Sequence, residues 1–326
     1  MSGPAPAAAA AYSQSALQPA GPVSELLLGV SGVLIAGASL IFLGVMLLLA
    51  LALRRRSNNN GRPLDARWWI GGGGLLFPGV VLVLLFLYSE SHRPPWRPVP
   101  PAGALIVGIT GHLWWWEVRL TDPASGAEVV TANELRIPVG RPVYLGLASA
   151  DVLHSFWVPS LAGKMDMVPG RMQHLLLQAD RPGNWRGQCA EFCGTQHARM
   201  ALHVVAQPPE DFANWLAGQA RPAVPLPEGE SGTALARGRD AFLAHRCNAC
   251  HTVRGVAQEG RLGPDLTHVG SRLALGAGTL VNGPAALADW VAHTQQHKPG
   301  AHMPSSAQRL DAAAVRDIAA WLAHLQ

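Results

Sequence analysis

Two long apolar runs near the N-terminus constrain this chain more than any other feature. Residues 26–53 are almost wholly apolar, and residues 68–88 form a second run of the same kind. A helix that crosses a membrane needs roughly 20 apolar residues, and neither run has the polar face of a helix that covers a soluble core. Two buried core helices are the alternative, which the absence of any polar face disfavours. We therefore predict a transmembrane helical hairpin over residues 23–90.

The loop between the two runs sets the predicted orientation of the hairpin. Against a single acid, Asp65, it carries five arginines: Arg54, Arg55, Arg56, Arg62 and Arg67. Loops rich in Lys and Arg stay on the cytoplasmic side of a membrane. We therefore predict a two-pass protein of a bacterial inner membrane, in contact with lipid. Both termini, and everything after Tyr88, are expected on the periplasmic side.

Composition supports a membrane protein and disfavours nucleic acid as a partner. Charged residues make up only 14% of the chain, whereas they are near a quarter of a typical soluble protein. The net charge of +4 is small and its basic residues are scattered, so no region has the dense positive charge that binds phosphate backbones.

Turn signals and composition divide the rest of the chain. Residues 1–22 are rich in Ala, Pro and Ser and lack the basic start of a signal peptide, so we expect them to be disordered. Short apolar runs separated by Pro and Gly predict a β-sandwich or barrel within residues 91–217. A linker is expected at 218–232, and Ala/Leu-rich segments with helical spacing predict a small all-α domain over 233–326. The expected strands cover 105–110, 114–120, 134–137, 143–148, 174–178 and 201–206, and the expected helices 209–217, 233–246, 285–296 and 309–325.

The four cysteines form two close pairs, a spacing that favours metal or haem attachment over a disulfide framework. In the first pair, Cys189 and Cys193 are followed by His197 and Met200. Thiolate, thioether and imidazole ligands select copper or zinc over magnesium or calcium. Two thiolates on one loop can bridge two metals, and each metal then needs an imidazole and a weaker ligand. His154 is the candidate for the second imidazole.

The second pair lies in Cys247-Asn-Ala-Cys250-His251, the C-x-x-C-H signature of c-type haem attachment. This spacing puts both thiols on one helical turn, where they can add to the vinyl groups of a haem while His251 meets the iron. A zinc site would need further Cys or paired His, and a thioredoxin-like motif would need a βαβ setting. Met303 is the expected sixth ligand, since it is the only methionine after His251 and Met–His ligation suits electron transfer. The alternative ligands are His297 and His302.

The order of the first group of residues resembles cytochrome c oxidase subunit II. The resemblance covers residues 24–217 and includes the apolar hairpin, the aromatic run 111–116 and the segment 164–171. It implies a cupredoxin-like β-barrel or sandwich with a binuclear copper A centre. The implied copper ligands are the bridging Cys189 and Cys193, the terminal His154 and His197, and the weaker axial Met200 and backbone carbonyl of Glu191. It also implies that electrons enter at Trp114 and that the Glu191 side chain faces subunit I, where it helps to hold Mg²⁺.

Residues 233–326 resemble a class I cytochrome c, in which a methionine before the last helix binds the iron and a loop like 263–266 packs against the haem. Subunit II with such a domain fused behind it is a known variant of the family. A tethered donor has a high effective concentration near its acceptor. The resemblance implies that electrons pass from an external donor (cytochrome c, another small redox protein or a bc1-type complex) to a covalent haem c, then to copper A and subunit I. There O₂ would be reduced to water with proton translocation, and subunit III is a further expected partner.

The second apolar run departs from the family pattern. Many members have a glutamate and a tryptophan at its cytoplasmic start for proton uptake, whereas residues 68–74 contain no acid and Asp65 is the nearest. Three other functions fit parts of this pattern: the corresponding subunit of a copper-A-containing nitric oxide reductase, a structural subunit of a quinol oxidase, and a free-standing copper carrier. The complete ligand set disfavours the second and the hairpin the third. The first stays open, since the sequence does not identify the catalytic partner chain.

Overall fold

The computed structural model describes residues 13–57, 65–93 and 99–326. These residues divide into two compact units. One unit is the helical hairpin, and the other contains residues 13–22 together with 99–326.

Two helical segments form the hairpin unit. Helix α1 spans Pro22–Ser57, and the second segment runs through α2 (Ala66–Trp68), a π-helix (Trp69–Leu76) and α3 (Phe77–Ser91). Stretches of 33 and 26 residues within them are long and apolar enough to cross a membrane. The predicted pair of apolar helices is therefore confirmed. In the loop that sets the predicted orientation, residues 58–64 lie outside the described residues.

The unit of residues 13–22 and 99–326 contains a sandwich of two five-stranded sheets. The first has the order β3-β2-β1-β5-β8 and the second β4-β10-β9-β6-β7. The pairs β1–β5 and β4–β10 are parallel, and the others are antiparallel. The strands are β1 (Leu105–His112), β2 (Trp115–Thr121), β3 (Glu128–Ala132), β4 (Glu134–Pro138), β5 (Val143–Ser149), β6 (His154–Trp157), β7 (Met165–Met167), β8 (Gln173–Leu177), β9 (Gly183–Cys189) and β10 (Ala201–Gln207).

Alternate side chains of the strands fill the space between the sheets. In β1, Leu105, Val107 and Ile109 are buried while the residues between them are more exposed. Trp116 from the first sheet meets Phe156 from the second edge to face, with ring centroids 5.8 Å apart. This contact fixes β6, the strand that begins at one of the predicted metal ligands.

Four strands, β3, β6, β7 and β9, fall outside the predicted set. The first three contain five residues or fewer, which leaves little room for a periodic pattern. Strand β9 does carry a period-two signal, because Trp185, Gly187 and Cys189 are buried and alternate with more exposed residues. The predicted cupredoxin-like sandwich is nevertheless confirmed, since the recognised strands already define two facing sheets.

The described part of the N-terminal segment packs against the sandwich, so the expectation of disorder over 1–22 is wrong for residues 13–22. Ala20 is 1% exposed. Its N–H donates to the Ser160 carbonyl at 2.7 Å, and its carbonyl accepts from the Asp180 N–H at 2.9 Å. Backbone hydrogen bonds hold this segment, and composition carries no signal for them.

A small helical domain follows the sandwich through α4 (Pro209–Gln219). It contains α5 (Gly229–Ala244), α6 (Pro284–His297), α7 (Ala312–His324) and the two-residue strands β11 (Ala274–Leu275) and β12 (Leu280–Val281). Phe242 of α5 and Trp321 of α7 meet in its core with ring centroids 5.1 Å apart. The predicted all-α cytochrome-like domain is confirmed, apart from the small β-hairpin.

The expected linker over 218–232 is shorter than predicted. Helix α5 already begins at Gly229. Ala223 and Leu226 pack against the core of the helical domain, and the Ala223 N–H donates to the Arg254 carbonyl at 2.9 Å. Apolar residues between the prolines therefore attach this stretch to the domain that follows.

Candidate copper and haem sites

One loop and the strands beside it hold the predicted copper ligands. His154 opens β6, which pairs with β9, and β9 ends at Cys189. The copper-site loop, residues 189–200, follows, and His197 lies in a single 3₁₀ turn within it. The Cys189 N–H donates to the Met200 carbonyl at 2.9 Å, so the loop closes on itself. Paired strands thus bring a distant histidine to a local group of ligands.

The five predicted ligand side chains form one cluster. The sulfur atoms of Cys189 and Cys193 are 3.7 Å apart. The Nδ1 atom of His154 lies 3.9 Å from the Cys189 sulfur, and that of His197 lies 3.6 Å from the Cys193 sulfur. The Met200 sulfur lies 3.8 Å from the Cys193 sulfur. Each thiol therefore has its own imidazole neighbour, an arrangement that suits two metals sharing both sulfurs.

Glu191 adds its backbone carbonyl to the cluster. Its carbonyl oxygen is 3.2 Å from the Cys189 sulfur. Cys189 thus has an imidazole and a carbonyl as neighbours, while Cys193 has an imidazole and a thioether. The Glu191 side chain points elsewhere and forms an ion pair with Lys164 at 3.4 Å. The next residue, Phe192, is 75% exposed.

The two thiols differ in their pKa values because they form a hydrogen bond with each other. The hydrogen bond from Cys193 lowers the pKa of Cys189, and the same contact together with burial raises the pKa of Cys193. The first proton is therefore lost readily and the second is retained. Soft metal ions bind thiolates, so binding at this pair is expected to displace the remaining proton.

Asp151 orients the His154 ring. Its Oδ1 atom lies 2.8 Å from His154 Nε2, and the Leu113 N–H donates to Oδ2 at 2.8 Å. Burial lowers the pKa of His154, but hydrogen bonds with Cys189 and Asp151 outweigh burial, so the pKa is raised overall. A carboxylate on the far nitrogen is the usual partner of a metal-binding histidine, and it turns Nδ1 toward the sulfur cluster.

Trp114 lies between the copper-site loop and the helical domain. It is 8% exposed, and its indole N–H donates to the Cys193 carbonyl at 2.7 Å. Its own carbonyl accepts from Lys298 Nζ at 2.6 Å. A side chain built on Gly300 would meet the six-membered ring of Trp114 at 3.7 Å, so the helical domain lies against the indole.

The predicted haem-attachment residues share one turn. Cys247 opens a 3₁₀ helix (Cys247–Ala249), and the His251 N–H donates to the Cys247 carbonyl at 3.1 Å. The Nδ1 atom of His251 lies 2.8 Å from the Pro264 carbonyl oxygen, which assigns the proton to Nδ1 and leaves Nε2 as the free ligand atom. Burial lowers the pKa of His251, so the neutral imidazole that binds iron is favoured. Cys250 is exposed.

Met303 approaches the same core from the loop between α6 and α7. It is partly buried and packs against the cluster that also contacts Cys247 and Leu266. The Gln295 side-chain amide donates to the Met303 and Ala301 carbonyls, each at 2.7 Å, so α6 fixes the position of this loop.

The alternative histidines have other surroundings. His297 Nε2 lies 2.7 Å from an Asp289 carboxylate oxygen, and its ring stacks on Trp290. His302 is exposed. His268 is buried, and its two ring nitrogens lie 2.9 and 3.0 Å from backbone carbonyl oxygens. Met303 stays the predicted sixth ligand.

Three residues that position parts of these sites were not predicted from the sequence: Asp151, Gln295 and Lys298. Asp151 stands three residues before His154, and this local spacing was the one available signal. Gln295 and Lys298 carry none, since a polar residue at the end of an amphipathic helix is ordinarily solvated.

Comparison with known proteins finds a matching family for the sandwich and another for the helical domain. The family model described as "Cytochrome C oxidase subunit II, periplasmic domain" matches residues 122–207, and the one described as "Cytochrome c" matches residues 235–326. Cytochrome c oxidase subunit 2 of Alkalihalophilus pseudofirmus is 30% identical over 312 residues, which cover 89% of this chain and 85% of that protein.

Two further similarities are confined to part of the chain. Cytochrome c oxidase subunit 2 of Branchiostoma floridae is 30% identical over 208 residues, covering 56% of this chain and 84% of that protein. Among solved structures, the periplasmic domain of subunit II of the Bradyrhizobium japonicum cytochrome oxidase is 27% identical. It covers 37% of this chain and 96% of that chain, with a TM-score of 0.34.

Proposed function

Because this chain belongs to the cytochrome c oxidase subunit II family, we propose that it collects electrons at a haem c and delivers them through copper A to subunit I of a terminal oxidase. The family supports a membrane-anchored oxidase subunit that partners subunit I, and the two matched regions imply copper A and haem in one chain. One observation carries the proposed route. Trp114 bonds to the copper-site loop through Cys193 and to the helical domain through Lys298.

Six groups would hold the two coppers. Cys189 and Cys193 would be shared by both metals, and His154 and His197 would each supply an imidazole. Met200 and the Glu191 backbone carbonyl would be the weaker ligands. When bound, copper A supplies one-electron transfer with little change of geometry, because one electron is shared by two metals. The sandwich holds these ligands on paired strands and one closed loop, so the same positions serve the oxidised and reduced states.

The haem residues suit electron transfer rather than catalysis at iron. Cys247 and Cys250 would hold the porphyrin covalently, and His251 and Met303 would bind the iron. With two protein ligands the iron would carry electrons and would not bind a substrate. The oxygen chemistry, with its proton translocation, therefore belongs to subunit I in this proposal. Trp114, between the copper-site loop and the helical domain, is proposed as the residue through which electrons reach copper A.

The Glu191 side chain is proposed to face subunit I and to help hold Mg²⁺ there. It is partly exposed beside Lys164, and the adjacent Phe192 is an exposed large apolar side chain. Subunit III and the external donor remain predictions. The anchoring of the chain in a bacterial inner membrane, with the sandwich and the helical domain on the periplasmic side, is also a prediction.

The test is an electron paramagnetic resonance spectrum of the oxidised full chain, expressed with haem maturation and supplied with copper. A multiline pattern from one electron shared by two equivalent coppers, together with a low-spin haem signal, is the expected result. A signal from one localised copper, or none despite bound haem, would mean that the ligand set is wrong and that the sandwich is structural. Purification with the native catalytic chain separates an oxygen reductase from the alternative, a nitric oxide reductase.

A further inference from the structure

A single lysine side chain crosses from the helical domain into the sandwich. Lys298 follows the last residue of α6 and is 3% exposed. Lysine is almost never fully buried unless its charge is matched by partners. Its Nζ atom donates to three backbone carbonyls: Trp114 at 2.6 Å, Arg199 at 2.9 Å and Gly276 at 3.0 Å.

The origin of these three acceptors is informative. Trp114 and Arg199 belong to the sandwich, and only Gly276 belongs to the helical domain. Removing an ammonium group from water is unfavourable unless hydrogen bonds replace the lost water. Lys298 obtains the complete set of acceptors only when the two domains are docked, so burial of this charge is coupled to docking.

The residues next to Lys298 extend the contact. The Gln196 side-chain amide donates to the Pro299 carbonyl at 2.7 Å, and the Arg199 guanidinium donates to the His297 carbonyl. Gly300 lies against the Trp114 ring. The interdomain segment, residues 297–300, therefore lies directly over the copper-site loop and its tryptophan.

We propose that Lys298 is the positioning residue that docks the helical domain (the haem domain) on the sandwich (the copper domain). The interdomain segment then closes the Trp114 surface to any external donor protein. An electron donor must then deliver its electrons to the haem domain. This inference deepens the proposed electron route and rests on it.

A lysine that only stabilised its own domain would have a different effect from the one proposed. Two backbone amides report docking directly, because each bonds to the other domain: Ala201 N–H to the Ala277 carbonyl at 3.1 Å, and Leu273 N–H to a Glu134 carboxylate oxygen at 2.8 Å. Separation of the domains would expose both amides to solvent, whereas the folding of each domain would be unaffected.

The experiment is hydrogen–deuterium exchange at single-residue resolution on the full chain in lipid nanodiscs. It is run at pH 6, because burial lowers the pKa of Lys298 to about 7 and the ammonium form is required. The Lys298→Met variant keeps the length of the side chain but removes the charge. Exchange at Ala201 and Leu273 is expected to become about tenfold faster or more, as fits the loss of several hydrogen bonds to a charged group.

Two amides inside the separate domains serve as internal references. Val139 N–H bonds to the Gln207 carbonyl in the sandwich, and Gly270 N–H bonds to the Leu325 carbonyl in the helical domain. Their exchange is expected to stay unchanged. Lys164→Met is the matched control variant, since Lys164 is the other lysine of the chain and is exposed in a surface ion pair.

The ratio of interdomain to intradomain exchange decides the outcome. A rise of about tenfold in Lys298→Met, with no rise in Lys164→Met, supports the proposal. An unchanged ratio overturns it, even if all four amides become faster. Should the methionine variant fail to accumulate, Lys298→Gln is measured in the same way, because it keeps hydrogen-bond donors but lacks the charge.

Hydroxyl-radical labelling of the same samples tests the closure of the Trp114 surface. Labelling of Trp114 is expected to rise in Lys298→Met, while labelling of Trp321 in the haem-domain core stays constant. No change at Trp114 would contradict the closure. Neither measurement depends on electron flow, so a failed spectroscopic test of the copper ligands leaves both of them readable.

Discussion

Gly263 lies so close to the His251 ring that no larger residue fits at position 263. A Cβ atom built on Gly263 would lie 2.6 Å from Cε1 and 2.9 Å from Nδ1 of the imidazole. The same Nδ1 bonds to the neighbouring Pro264 carbonyl. Residues 263 and 264 thus define both the position and the tautomer of the proposed iron ligand.

Gly263→Ala is expected to push the imidazole away from Pro264 and to destabilise the haem domain by about 1–3 kcal/mol, the usual range for overpacking. Thermal unfolding of the full chain, followed by haem absorbance, measures the change. Gly283→Ala in the same domain is the control, because its added Cβ meets nothing within 4 Å. Equal stability of the two variants would contradict the argument.

Asp151 would act on copper through His154, whose ring it holds. Asp151→Asn keeps the shape of the side chain but removes the charge that holds His154 Nε2 at 2.8 Å. Copper affinity is expected to fall about 10- to 100-fold, as for other partners of metal-binding histidines. Competition with a copper chelator measures the affinity. Asp166→Asn, which changes an exposed carboxylate paired with Lys164, is expected to leave it unchanged, and a similar loss there would remove the case for Asp151.

Helices α5 and α7 cross at one very close point. A Cβ atom on Gly238 would lie 2.0 Å from the Asp317 carbonyl oxygen and 2.9 Å from the Trp321 Cβ. The crossing brings Phe242 and Trp321 together in the core. The absence of a side chain at position 238 therefore sets the separation of the two helices around which the domain is built.

Gly238→Ala should destabilise the haem domain, although alanine favours an isolated helix by about 1 kcal/mol over glycine. We expect a net loss of about 1–3 kcal/mol, because the helices must move apart. Chemical denaturation followed by haem absorbance gives the value. Gly218→Ala in α4, where the added Cβ meets nothing within 4 Å, should be neutral or stabilising. A stabilised Gly238→Ala variant would show that the crossing is not tight.

The sandwich contacts stretches of chain that lie far from it in sequence. Residues 13–22 add to the sandwich through backbone bonds: the Asp180 N–H donates to the Ala20 carbonyl, and the Arg186 N–H donates to the Ser13 carbonyl. The haem domain joins through Lys298 and its neighbours. The sandwich is thus in contact with residues 13–22 and with the haem domain.

Ala20→Arg should detach the N-terminal segment, because Ala20 is 1% exposed and a buried, unpaired charge is strongly unfavourable. Exchange of the Asp180 and Arg186 amides is expected to increase at least about tenfold. Leu17→Arg, at a position that is 74% exposed, is the control. Retained protection in Ala20→Arg would mean that the segment is not held at this point.

The sequence by itself determined the parts that depend on local spacing. Three features can be identified from short stretches of sequence: the apolar runs long enough to span a membrane, the C-x-x-C-H turn, and the thiols, imidazole and thioether of residues 189–200. Hydropathy and ligand chemistry act on neighbouring residues, so these predictions require no knowledge of the fold. The short strands and the packed N-terminal segment were missed because backbone pairing depends on a distant partner.

Only the tertiary structure decided which distant groups meet. His154 reaches Cys189 across 35 positions of sequence, and Lys298 reaches Trp114 across 184. Strand pairing creates the first contact and domain docking the second. A buried lysine at the end of an amphipathic helix has the sequence pattern of a solvated one, because burial of a charge depends on acceptors that the rest of the molecule supplies.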